Sequence, residues 1–187
     1  ADKLDSMLMI GLGGGTTTRQ IAHFVPGIRI TVAELDPGVV AMAKKYFGLK
    51  ETARYRVVAQ DGRVYLMRHR KAHYDIIMVD AFRGGYVPFH LLTREFYQLV
   101  KSRLTPGGVV VLNVHGNTRL FDSTMRTLTD VFGNKDTIYA AGSMITVVRN
   151  GGALTKSALE ARAAERQKRY LFRYDLRELL KGRQKVE

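Results

Sequence analysis

The sequence predicts an α/β fold: a doubly wound, mostly parallel seven-stranded sheet that ends in an antiparallel hairpin. Three observations predict it. Short apolar runs alternate with helix-like stretches along most of the chain, which argues for parallel strands joined by crossover helices. A glycine-rich turn directly follows the first apolar run. Near the end of the alternating region, two strand-like runs stand too close together for a crossover helix.

The first strand candidate is Met7–Ile10, followed by Ile28–Glu34, Tyr55–Ala59, Tyr74–Val79 and Val109–Val114. Each is rich in Val, Ile, Leu or Met and most lack period-two alternation, the mark of strands covered on both faces. Between them lie helix candidates at Thr17–Phe24, Pro37–Phe47, Gly62–Arg70 and Thr93–Leu104. Pro37 stands where a helix tolerates proline, in its first turn. "TPGG", from Thr105 to Gly108, is expected to stop the fourth helix and turn the chain into the fifth strand. A further helix is expected around Phe121–Phe132. The runs Thr137–Ala140 and Met144–Val148, separated by a few small residues that include Gly142, are expected to form the hairpin. A parallel sheet with such an ending suits AdoMet-dependent transferases better than the all-parallel dinucleotide fold.

Residues 1–150 are expected to form an AdoMet-type cofactor-binding domain. Residues 151–187 are expected to form a basic helical extension that packs on it. Ser157 and Glu160 have the spacing of a capping box for a helix reaching about Tyr170. "LFRYDLRELL" suggests a second short helix, with Leu171, Phe172, Leu176, Leu179 and Leu180 as docking surface.

The 187 residues suffice for one substantial core, and no apolar run approaches the roughly 18 to 20 residues of a membrane span. The absence of cysteine excludes disulfides and thiolate metal sites. A cytoplasmic location is the expectation. The formal charge of +13 favours anionic partners. The cations concentrate in "RHRKAH" (Arg68 to His73) and the C-terminal tail without interleaved aromatics, so a solvated face explains them better than a nucleic-acid site. The five histidines show no metal-ligand pattern. The sequence is compatible with a homo-oligomer.

The chemistry is expected at the carboxyl ends of the strands. Gly11, Gly13, Gly14 and Gly15 separate the first strand from the first helix, where bare backbone and free helix N–H groups suit a nucleotide-like cofactor. No Gly-Lys-Ser/Thr follows, and Thr16 stands where a third glycine of G-x-G-x-x-G belongs. Glu34 ends the second strand about 20 residues beyond the loop, where an acid can accept both hydroxyls of a ribose. Asp61 and Gly62 follow the third strand; the acid suits an adenine amino group, a helix N-cap, or both. Asp80 and Ala81 follow the fourth strand, and a carboxylate at this edge can act as a base or hold a cation. Arg83, Tyr86 and His90, in the loop beyond, are candidate acceptor contacts. His115 lies near the same edge.

The set "IGLGGGTTTRQ", "VAELDPGVVAMAKKYFGL", "AQDGRVYL", "YDIIMVDAF" and "VPFHLLTREFYQLVKSRLTPGGVVVLNVHG" resembles the spermidine synthase (polyamine aminopropyltransferase) family, most closely its bacterial spermidine synthase-like branch. The resemblance covers about Met7 to Arg149. It implies the AdoMet-transferase fold, decarboxylated AdoMet (or AdoMet) as cofactor with no metal, and transfer of an aminopropyl group to a polyamine amine. It implies that Gly11, Gly13 and Gly15 line the cofactor. Glu34 then takes the ribose, Asp61 takes the adenine amino group, and Asp80 receives or orients the attacking amine. Gly14 stands where the family's loop usually carries an aspartate, and Arg83 stands where spermidine synthases carry a second acid. These departures motivate an alternative, an AdoMet-dependent methyltransferase acting on a small or anionic substrate. The basic surface motivates another, a non-catalytic nucleotide-fold module.

Overall fold

The computed structural model describes residues 1–82, 86–114, 120–133, 138–141, 145–152, 154–170, 172–181 and 183–185. Five strands run parallel: β1 (Ser6–Ile10), β2 (Arg29–Glu34), β3 (Tyr55–Ala59), β4 (Tyr74–Val79) and β5 (Leu104–Asn113). They are followed by β6 (Ile138–Ala141), β7 (Ile145–Arg149) and β8 (Arg183–Lys185). The sheet order is β3-β2-β1-β4-β5-β7-β6-β8. β7 slots between β5 and β6 and runs antiparallel to both, which is the expected hairpin. Thr137, Gly142 and Met144 of its anticipated span lie outside the described residues.

The helices are α1 (Thr16–Phe24), α2 (Pro37–Tyr46), α3 (Gly62–Arg68), α4 (Arg94–Arg103), α5 (Phe121–Phe132), α6 (Lys156–Tyr170) and α7 (Leu176–Lys181). A 3-10 turn spans Phe89–Leu91. Asp36, Asp61 and Thr93 cap α2, α3 and α4 through their side chains. None of the described helices is long and apolar enough to cross a membrane.

β1 shows why its apolar run lacks alternation. Leu8 and Ile10 enter a cluster with Tyr65, Leu66, Phe96 and Tyr97, whereas Met7 and Met9 enter another with Val25, Ile30, Val32 and Ala43. Both faces of the strand are covered, so neither parity is polar. The amino ends of β1 and β4 are tied together by Asp75, which is only 3% exposed. Its carboxylate accepts from the backbone N–H groups of Asp5 and Ser6 and from the hydroxyls of Ser6 and Thr105. Burial alone pushes this carboxyl up, but the hydrogen bonds outweigh it and hold it below the usual aspartate range.

Three expectations need correction. "TPGG" does not precede the fifth strand but lies within β5: pairing begins at Tyr74↔Leu104, slips, and resumes at Ile76↔Val109. The irregularity makes room for Asp2. Its N–H donates to the Gly107 carbonyl, and its carboxylate would collide with any Cβ at residue 107. Asp2 in turn accepts from Arg149 and from Arg162 of α6. Second, the cap of α6 is Thr155, whose Oγ1 accepts from Ala158 N at 3.2 Å; Ser157 sits inside the first turn. Third, of the expected apolar docking residues it is Phe172, joined by Tyr170, that packs on the α1 side of the sheet, with the rings of Phe24 and Phe172 5.6 Å apart. Leu179 is 61% exposed, Leu171 lies outside the described residues, and the segment adds β8 beside its helices.

Candidate active site

The strand order reverses between β1 and β4, because the chain winds outward through β2 and β3 in one direction and β5 in the other. Ligands of open α/β sheets bind outside the carboxyl ends at such a point. A cavity of about 780 Å³ opens there, in the size range of small-molecule sites.

The four glycines of the first loop stand in different surroundings. Gly11 has φ +95°, and a Cβ on it would lie 2.3 Å from the Asp80 carbonyl oxygen. The ends of β1 and β4 therefore touch through main chain. Gly13 faces open space in the cavity wall. Gly14 faces the ring of Phe47, 3.0 Å from where its Cβ would be. Gly15 is the N-cap of α1 with φ +70°, against Leu49 and Leu12. Of the four, Gly11 and Gly13 line the cavity, while Gly14 and Gly15 pack behind it. Gly62 also lines it, and its missing Cβ is dictated from the other side, since one would lie 2.3 Å from Ile10 Cγ2.

The acids come from successive strand ends. Glu34 accepts from Leu12 N at 2.8 Å through Oε2 and from Asp36 N at 2.9 Å through Oε1. The loop and the carboxylate thus position one another. Asp61 caps α3, with Oδ1 accepting from Val64 N at 2.9 Å, while Oδ2 meets His90 Nε2 at 2.8 Å. Asp80 accepts from Asn113 Nδ2 at 2.8 Å through Oδ1. The other Asn113 amide atom, Oδ1, is buried with no hydrogen-bond partner among the described residues. Ala81 follows in the lining.

Sequence reasoning missed two of these pairings. Asn113 carries no motif signal, although its place opposite Asp80 follows from the pairing of Val79 with Leu112 one residue earlier. His90 was named, but not its partner. Tyr86 is 54% exposed and lies outside the cavity lining. Arg83 and His115 lie outside the described residues.

Glu34, Asp36, Asp61 and Asp80 all line the cavity, and no lysine or arginine does among the described residues. A chain of net charge +13 therefore presents an acidic mouth, suited to a cationic ligand. No cluster of three or more potential metal ligands occurs among the described residues.

A family model described as spermine/spermidine synthase domain matches residues 2–150. A polyamine aminopropyltransferase of Vibrio vulnificus is 38% identical over 133 residues, which are 70% of this chain and 44% of that protein. A probable polyamine aminopropyl transferase of Bifidobacterium longum is 37% identical over 145 residues, 75% of this chain and 32% of that protein. The chain thus spans less than half the length of these two relatives. Among solved structures, human methyltransferase-like protein 13 in complex with SAH superposes with a TM-score of 0.76 at 26% identity, covering 91% of this chain and 83% of that one.

Proposed function

The chain belongs to the spermine/spermidine synthase family, and from that premise we propose that it is a transferase that binds decarboxylated AdoMet and moves an aminopropyl group to a polyamine amine. The observation that carries this reading is the convergence of Glu34, Asp61 and Asp80 on one cavity beside the bare backbone of Gly11 and Gly13. The residues fit such a cofactor. Gly13 leaves room for close approach, Glu34 and Asp61 offer acceptors at the two ends of a nucleoside, and the acidic mouth suits a sulfonium and an ammonium together. We also propose residues 1–150 as the transferase unit and 151–187 as an extension of it.

The geometry supports the following roles. Glu34 has one lone pair on each oxygen engaged by backbone N–H groups and keeps others for the ribose hydroxyls. Asp61 accepts from the adenine amino group. Asp80 holds the acceptor's ammonium end, receives its proton and leaves a neutral nitrogen to attack. Asn113 fixes the Asp80 carboxylate from the neighbouring strand. When bound, the sulfonium supplies the electrophilic carbon: the new C–N bond forms as the C–S bond breaks, and methylthioadenosine departs.

One observation favours a second reading, methyl transfer to an amine. Human methyltransferase-like protein 13 shares the fold at 26% identity. The test supplies purified protein with decarboxylated AdoMet or AdoMet, each with putrescine or spermidine. Methylthioadenosine with an elongated polyamine is the expected result. S-adenosylhomocysteine from AdoMet alone establishes the second reading, and no product from either donor rejects both.

A further inference from the structure

His90 lies in the 3-10 turn Phe89–Leu91, on the wall of the cavity beside α3. Its Nε2 is 2.8 Å from Asp61 Oδ2. An ionised carboxylate only accepts, so the imidazole is the donor. Asp61 Oδ1 is held from the other side by Val64 N. The carboxylate is therefore fixed at both oxygens, once by the helix that it caps and once by the neighbouring turn. The turn is itself anchored by Arg63, whose Nη1 donates to the His90 carbonyl at 3.0 Å and reaches Thr93 Oγ1 at 3.4 Å. Arg63 thus holds the backbone of the turn, and His90 holds the acid.

From this arrangement we infer that His90 is a specificity-determining residue for the nucleobase. The inference rests on the reading above in which Asp61 receives the base. A carboxylate bound at both oxygens has lost its rotation and keeps its remaining lone pairs aimed into the cavity. A base with an exocyclic amine there meets a preorganised acceptor, and little ordering cost remains to be met on binding. A base with a carbonyl there faces lone pairs with lone pairs, and the His90 Nε2 proton is already committed to Asp61. His90 thereby selects a 6-aminopurine over a 6-oxopurine without itself touching the base.

Calorimetry of wild type, His90→Ala and His90→Gln with 5′-methylthioadenosine and 5′-methylthioinosine tests this. Wild type binds the adenosine compound in strong preference. His90→Ala weakens that binding roughly tenfold, the scale of one lost hydrogen bond at a charged group, and leaves the weak inosine binding little changed, so the preference shrinks. His90→Gln, whose amide can donate to Asp61, recovers most of the preference. Equal weakening of both compounds in His90→Ala means that the turn merely props the wall, and it overturns the inference, as does an unchanged preference. If His90→Ala does not fold, a folded His90→Gln that has lost the preference overturns it equally. Wild type that binds neither compound removes the underlying reading with it, an outcome distinct from the other two.

Discussion

Asn113 donates an amide hydrogen to Asp80 across the β4–β5 pair, at 2.8 Å. The contact fixes which way the acid at the cavity faces. Asp80→Asn is expected to lower turnover by about 10²–10⁴-fold, the usual range for a lost general base, with nucleoside affinity nearly unchanged. Asn113→Ala is expected to lower kcat about tenfold, as for one hydrogen bond, again with little effect on methylthioadenosine binding. Steady-state kinetics beside calorimetry check both. A large loss of nucleoside affinity in either variant contradicts the assignment of Asp80 to the acceptor side.

Glu34→Ala removes the carboxylate that the loop is built around. Methylthioadenosine affinity is expected to fall by about 10- to 100-fold, since hydrogen bonds to charged groups contribute ~1.5–3 kcal/mol each. The decisive comparison is a cycle with the 2′-deoxy analogue. Wild type should discriminate against that analogue and Glu34→Ala should not. Equal discrimination in both proteins refutes the sugar contact.

Gly11→Ala and Gly62→Ala both add a methyl 2.3 Å from a neighbour, but the neighbours differ. At Gly11 the obstacle is backbone and φ is +95°, so the expected cost is ~3 kcal/mol and no second change relieves it. At Gly62 the obstacle is the Ile10 side chain, so a cost of about 1–3 kcal/mol is expected. The double variant Gly62→Ala, Ile10→Ala should cost less than the sum of the single changes. Urea denaturation measures all of these; strict additivity would show that the Ile10 contact is not the cause.

Asp75 makes stability depend on pH in a definite direction. Its carboxyl is held below the ordinary value of about 3.9 in the folded protein. Its contribution is thus fully present above that value and is lost as pH falls through the lower, folded value. Wild type is expected to lose stability on acidification below about pH 4, and Asp75→Asn to show a shallower acid slope from a lower plateau. The plateau falls by about 1–3 kcal/mol, because the amide offers one acceptor oxygen where the carboxylate offered two to the donors of Asp5, Ser6 and Thr105. Parallel acid slopes in the two proteins would sink this account.

The parts legible in the sequence were those set by local chemistry. Apolar runs placed β1 to β7 to within a few residues, apart from the start of β5; in β1 the signal is clear because both faces of the strand are covered. Asp61 was legible as a cap because it directly precedes a helix. The contacts that arm the site were not legible. His90 and Asp61 stand 29 positions apart, and Asn113 and Asp80 stand 33 apart. Only the sheet order brings them together. The glycines of the first loop read alike in sequence, yet what a Cβ would meet differs at each: main chain at Gly11, open space at Gly13, an aromatic ring at Gly14. β8 was missed because three polar residues at a sheet edge leave no apolar signature.

The main-chain seam between Gly11 and Asp80 leaves no adjustable joint between the seat of the nucleoside and the acid that meets the acceptor. A shift at one is transmitted to the other without a side chain to absorb it. Variation in acceptor choice across relatives built this way should therefore arise away from this seam. Attempts to retune the donor from within the loop should disturb the acceptor end as well.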